Sequence, residues 1–163
     1  MKTYLRIIAI TCLAGLAMAG VRAAAPTYGK AADNKIRAQA LIVKLMAENP
    51  DLLTAGMHCV PPVGGTQAII ATTLNVIGKP SDPPEIDVVA NGETILSPNL
   101  KIPKLGIMMP LHDRSGKRIG ALALAFRYPA GADQVACLDK AVLLRDQLAQ
   151  QIPSLDALFM TEP

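Results

Sequence analysis

The sequence predicts an α+β fold: a five-stranded antiparallel sheet carrying a long N-terminal helix, a short central helix and a C-terminal helix. Three observations predict it. Strand-like segments, alternating in polarity or rich in Ile, Val and Thr, fall into two groups near 52–77 and 93–128. Apolar stripes of helical period flank them at 33–49 and 132–152. Between the groups, Asp82-Pro83-Pro84-Glu85 has the composition of a short helix start.

Taken in order, Asp33 or Asn34 can cap a first helix that runs to Asn49, where Asn49-Pro50 stops it. Ile36, Ala40, Val43 and Ala47 share one face, and Leu41, Leu45 and Met46 widen it, so this helix needs burial against a sheet. Leu52 to Val60 reads as a strand ended by Pro61-Pro62-Val63-Gly64-Gly65, and Gln67 to Ile77 as a second. Gly78 to Asp82 breaks that strand, and the short helix runs on to Ala90 before the Asn91-Gly92 turn. Glu93 to Leu96 is a small strand and Ser97 to Lys104 a loop. Leu105 to His112 and Arg118 to Tyr128 form the last two strands. A final helix spans Ala132 to Ile152, with Cys137, Ala141, Leu144, Leu148 and Ile152 as its buried stripe.

Residues 1–23 have the pattern of a secretory signal peptide: Lys2 and Arg6, a short apolar core from Ile7 to Ala19, then small residues. Cleavage after Ala19 or Ala23 fits the small-residue rule. The apolar core is shorter than the roughly 20 residues a membrane span needs, and Cys12 lies inside it without a lipobox. The expectation is a single domain, 24–163, that is periplasmic or secreted and soluble. The full chain has 16 basic and 13 acidic residues, and loss of Lys2, Arg6 and Arg22 leaves 13 of each. Its basic excess belongs to targeting, which excludes nucleic acid as the partner.

The last hairpin carries the most organised stretch, Met108 to Phe126. Its polar knot, His112 to Lys117, reads as a turn for which Gly116 supplies the unusual backbone angle. Beyond it, one strand face holds Ile119, Ala121, Ala123 and Ala125 and the other Leu122, Leu124 and Phe126. Both are apolar, so the strand is central and covered on both sides. The alanine face admits a closely packed helix or leaves room for a ligand; close packing is the default for an interior.

The pattern Pro110-Leu111-His112-Asp113-Arg114-Ser115-Gly116-Lys117-Arg118-Ile119-Gly120, with Ile77-Gly78-Lys79 leading into the short helix, resembles the PAS-like extracytoplasmic sensors called Cache domains, in their single-domain form. The resemblance spans Asp33 to Tyr128. It implies a small molecule, often an amino acid, a carboxylate or an amine, held between the sheet and the short helices. It also places Thr73, Asn75 and Lys79 at the ligand's polar head; read from the residues alone, they are a solvated strand edge. Cache domains usually sit between two membrane spans and drive an output module. Neither is visible here, so the expectation is a free-standing sensor-like binder or an accessory subunit, with a membrane receptor or transporter as a candidate partner; the alternative is an interaction module that docks a membrane partner.

Few residues outside that resemblance point to chemistry. Cys59 and Cys137 remain after the leader is removed, and an even pair in a secreted protein is a disulfide candidate. Such a bridge would clip the last helix to the first strand and contribute up to about 4 kcal/mol; the alternative is two buried free thiols. His58 and His112 are the only histidines and are candidates to line a pocket. With Met57, Met108, Met109 and Cys59 they also admit a haem or copper reading. No ligand spacing supports it, so no metal or cofactor is expected. The chain lacks a nucleophile elbow, a triad order and paired cleft carboxylates, so no enzymatic activity is expected.

Overall fold

The strand with two apolar faces occupies the middle of the sheet. The computed structural model describes residues 27–99 and 101–162, so the leader 1–23 lies outside the described residues. Five strands, β1 (Leu52–Cys59), β2 (Ala68–Thr72), β3 (Ile95–Asn99), β4 (Lys104–His112) and β5 (Arg118–Arg127), pair in the order β2-β1-β5-β4-β3. All neighbours are antiparallel. Helices α1 (Arg37–Glu48) and α3 (Gln134–Gln150) pack on one face, with a short α4 (Leu155–Leu158) after them. Helix α2 (Pro83–Asn91) packs on the other face against β4 and β5. Among the described residues no helix is long and apolar enough to cross a membrane.

Side-chain size on β5 decides which face is the core. Leu122, Leu124 and Phe126 are almost wholly buried, against Leu41, Ile42 and Leu45 of α1 and Ala141, Leu144 and Leu148 of α3. Burying each large side chain contributes about 1.5–3 kcal/mol, so this face carries most of the cohesion. Of the expected final-helix stripe, Ala141, Leu144 and Leu148 are buried, as is Ile152 just past the helix end, whereas Cys137 is only half-buried. Lys140 reaches back from α3 to Asp51 at 2.6 Å, fastening the helix beside the start of β1.

Three boundaries and one expected bond differ from expectation, each for a physical reason. Helix α1 begins at Arg37 and not after Asn34, because Asn34 spends its amide on the Ile70 carbonyl at 2.8 Å. Strand β2 ends at Thr72 and not Ile77. There Gln39 of α1 acts as a surrogate strand partner: its Nε2 donates to the Thr72 carbonyl at 2.9 Å, and its Oε1 accepts from the Thr72 N–H at 3.0 Å. The Thr72 hydroxyl then accepts from the Leu74 N–H at 3.3 Å and turns the chain. The return segment runs back along β2, with Ile69 donating to the Lys79 carbonyl and Ser81 to the Gln67 carbonyl. Strand β3 extends through Ser97-Pro98-Asn99, where a loop was expected. It forms the sheet edge, and only there can proline, which has no N–H, occupy a ladder position.

The fourth difference is the expected disulfide. Cys59 and Cys137 are both free thiols. Cys137 lies in the first turn of α3, near Asp133 and Asp51, whereas Cys59 ends β1 at the opposite end of the strand. Eight residues of extended chain separate the two ends by roughly 25 Å, several times the Cα spacing a disulfide tolerates. Burial pushes the Cys59 thiol up to about 12, and partial burial followed by the Asp133 carboxylate raises that of Cys137. Both are poor nucleophiles.

The polar knot is a hairpin turn as expected, with Gly116 at a φ of 84°. Asp113 organises it: its Oδ1 accepts from the Ser115 hydroxyl at 2.6 Å, the Ser115 N–H at 2.9 Å and the Lys117 N–H at 3.1 Å. These bonds, the Ser115 hydroxyl foremost, hold its carboxyl below the usual value. Arg118, at the exit, donates to the Val89 and Ala90 carbonyls at 2.7 and 3.1 Å and so caps the C-terminus of α2.

Three outcomes are expected from this packing. A methyl at Gly120 would run into the His58 carbonyl and the Cys59 sulfur, so Gly120→Ala should cost roughly 1–3 kcal/mol in urea unfolding. By contrast, a methyl at Gly106 meets nothing closer than Ser97 O at 3.6 Å, so Gly106→Ala should be neutral or slightly stabilising. Under non-reducing denaturing conditions Cys59 and Cys137 should both alkylate, as mass spectrometry of the labelled peptides would show. A peptide pair linked through both would contradict the separation.

Candidate functional site

On the far side of the sheet from the core, small residues leave space. Strand pairing aligns Thr54 with Ala125 and Gly106, and Gly56 with Ala123 and Met108, on adjacent rungs across β1, β5 and β4. On these rungs, β1 and β5 carry no side chain larger than threonine. Over them lies a cavity of about 280 Å³, walled by Leu74 and Val76 of the return segment, by Ile95 and Met108, and by Glu85 of α2. The alanine face therefore serves both of its expected uses. Ala121 is fully buried, while Ala123 and Ala125 border the cavity.

One end of the cavity is polar because α2 starts there. Asp82 and Glu85 form a capping box, in which the Asp82 N–H donates to Glu85 Oε2 at 2.9 Å. Pro83 and Pro84 fill the first helical positions, where a missing N–H costs nothing. The box brings Glu85 against His58: Nδ1 lies 3.3 Å from Glu85 Oε2 and 2.9 Å from Ser81 Oγ. Gln67 completes the group, its Nε2 donating to Ser81 Oγ at 3.2 Å and to the Glu85 carbonyl at 3.0 Å. His58, Gln67 and Ser81 are all buried. A carboxylate has no hydrogen to offer, so the contact with Glu85 favours the proton on Nδ1. His58 Nε2 then keeps its lone pair.

Burial lowers the His58 pKa below 6.5; the Glu85 carboxylate opposes this only in part, and the Lys79 ammonium adds to it. The imidazole is neutral at pH 7. Serine, histidine and a carboxylate together have the composition of a catalytic triad, but not its wiring. A triad places the acid on one ring nitrogen and the hydroxyl on the other, and here both lie on Nδ1. The arrangement can bind and orient a ligand, and it presents no activated nucleophile.

Of the expected site residues, His58 alone lines this cavity. The turn after Thr72 carries Thr73 and Asn75 to the exposed surface, where Asn75 Oδ1 accepts from the Ala31 N–H at 3.2 Å. Lys79 sits on the outside of the return segment, paired with Asp82 at 3.1 Å, which raises its pKa through that hydrogen bond. His112 is on the opposite face of the sheet, beside the hairpin turn and Asp146 of α3. There burial, then Arg145, lowers its pKa. The haem and copper set divides similarly, with Met57, Met109 and Cys59 in the core and His58 and Met108 on the cavity face. Among the described residues no group of three His, Cys, Asp or Glu could hold a metal. The residues missed were Glu85, Ser81 and Gln67. Asp-Pro-Pro-Glu was visible as a helix start, but no local pattern says that its glutamate faces a histidine 27 positions earlier.

An open antiparallel sheet of order β2-β1-β5-β4-β3, with a cavity under a helix on one face, is the GAF/PAS type of fold. The GAF domain region of a putative membrane protein from Geobacter sulfurreducens PCA is similar over 73% of this chain and 92% of its own, with 17% identity and a TM-score of 0.52. A putative GAF sensor protein from Burkholderia vietnamiensis is similar over 74% of this chain and 76% of its own, at 13% identity and a TM-score of 0.49. The GAF domain of a two-component sensor histidine kinase from Bacillus halodurans matches 69% of this chain and 91% of its own, at 16% identity and a TM-score of 0.47. No family model and no curated protein matches the chain.

The histidine makes a pH prediction. With its folded pKa below the unfolded 6.5, the unfolded chain binds the extra proton first as pH falls. Its stabilising effect is therefore complete above pH 6.5 and declines below it, down to the folded value. Urea midpoints of the wild type should drop from pH 7 towards pH 5 more steeply than those of His58→Gln, with His112 supplying the common background. Parallel curves would show that His58 is not buried neutral.

Proposed function

We propose that this chain is a sensor-type domain that binds a small molecule in the Ala123–Ala125 cavity, outside the cytoplasm, and does not transform it. One observation carries the reading: the sheet withholds side-chain volume along two adjacent rungs, while α2 positions a carboxylate and an imidazole at the cavity's end. An interior normally fills such space, and one that stays open with polar groups at its end is the ordinary form of a ligand site. The shared wiring of Ser81 and Glu85 on one nitrogen supports binding over catalysis. The charged start and short apolar core of residues 1–23 support an extracytoplasmic location and, with it, a Cache-like role reported to a membrane partner.

A thermal-shift screen of the purified protein against a metabolite panel should give stabilisation by one compound class. Ala123→Leu, which puts an isobutyl group into the cavity, should abolish that shift while leaving the protein folded by circular dichroism. No shift with any class, or a shift that survives Ala123→Leu, would refute a ligand site at this place.

A further inference from the structure

Resting on the cavity as a ligand site, we infer the class of its ligand: a small organic amine, bound as the cation, with a flat apolar body. The charge inventory comes first. Among the described residues, Glu85 is the one charged side chain lining the cavity, and neither lysine nor arginine lines it. Lys79 is committed to Asp82 at 3.1 Å, outside the lining. His58 is neutral, as argued above from its burial.

Hydrogen-bonding capacity points the same way. Glu85 Oε2 is used by the Asp82 N–H and the His58 ring, and Oε1 has no partner among the described residues. With the His58 proton held on Nδ1, Nε2 offers only a lone pair. The His58–Glu85 end therefore presents two free acceptors, one of them on a carboxylate, and no free N–H; the donors the lining offers are the neutral hydroxyls of Thr54, Thr72 and Ser97. A carboxylate or phosphate brought there would lose its hydration, meet a like charge and gain no N–H in return. An ammonium group reverses all three terms, since it carries only donors and an opposite charge.

The body of the ligand follows from the floor. Gly56 and Ala123 lie side by side on one rung, and Ala125 and Gly106 on the next, so the sheet surface beneath the cavity is nearly flat and apolar. Met108, Ile95, Leu74 and Val76 close over it. The hydroxyls of Thr54 and Ser97 lie along the strands from His58 and accept a polar tail without requiring one.

The test uses the purified full chain and three probes of matched body: 2-phenylethylamine, 2-phenylethanol and phenylacetate, titrated calorimetrically at pH 7.5. The amine should bind at least about tenfold more tightly than the alcohol, and phenylacetate should give no heat. Glu85→Gln keeps an oxygen acceptor for the capping box, since glutamine also serves at that position. It should reduce amine affinity by about tenfold or more and leave the alcohol unchanged. Phenylacetate equal to or better than the amine, binding by none of the three, or an amine affinity untouched by Glu85→Gln overturns the assignment. The wild-type ranking of the probes decides the matter even if Glu85→Gln loses its fold. An anionic metabolite that binds and is expelled by Ala123→Leu sinks the amine assignment and leaves the cavity standing. If no compound of any charge responds to Ala123→Leu, the cavity reading itself falls.

Discussion

Side chains on successive residues of β5 point to opposite faces of the sheet, and their sizes alternate accordingly. Leu122, Leu124 and Phe126 fall on one side and Ala121, Ala123 and Ala125 on the other. That single alternation, in the central strand of the sheet, sorts the molecule into a dense half and a spacious half. Helices α1 and α3 are drawn to the large residues because burial there removes the most apolar surface from water. The remaining face cannot be filled by methyl groups, so the chain between β2 and β3 lies over it as a lid with space beneath. Cavity and core are two consequences of one pattern.

Two glutamines hold that arrangement in place, one by replacing backbone pairing and one by tying a helix start to the sheet. Gln39 meets the N–H and carbonyl of Thr72, which lets β2 stop and the chain reverse without orphaned polar groups in the interior. Gln67 binds Ser81 Oγ and the Glu85 carbonyl, which fixes the start of α2 against β1. Because α2 is also held at its far end by Arg118 from the hairpin, both ends of the helix over the cavity are tied to the sheet. The charged knot at the hairpin thus contributes to the site through a cap and not through direct contact.

The histidines show how far linear reading of a site reaches. Both were recognisable as the polar groups most worth placing, yet His58 lies on the cavity side and His112 on the side of α3. The bulge between Leu111 and His112 offsets the register at the strand end, a displacement with no signature in composition. Thr73, Asn75 and Lys79, which the resemblance places at a ligand's polar head, lie outside this cavity's lining, because β2 ends at Thr72 and the turn there sends the chain outward.

Local chemistry was enough for the fold class, the order of the five strands and three main helices along the chain, the Gly116 turn, and the two-faced character of β5. Each rests on contacts between near neighbours or on period, which a sequence displays directly. Separation in space was not available in that way. Cys59 and Cys137 each read correctly as facing the core, and only the length of β1 between them keeps their thiols apart. The partnership of His58 with Glu85, Ser81 and Gln67 likewise depends on where the return segment lies against β2. That position is set by long-range hydrogen bonds among residues far apart in the chain, and no period or motif encodes it.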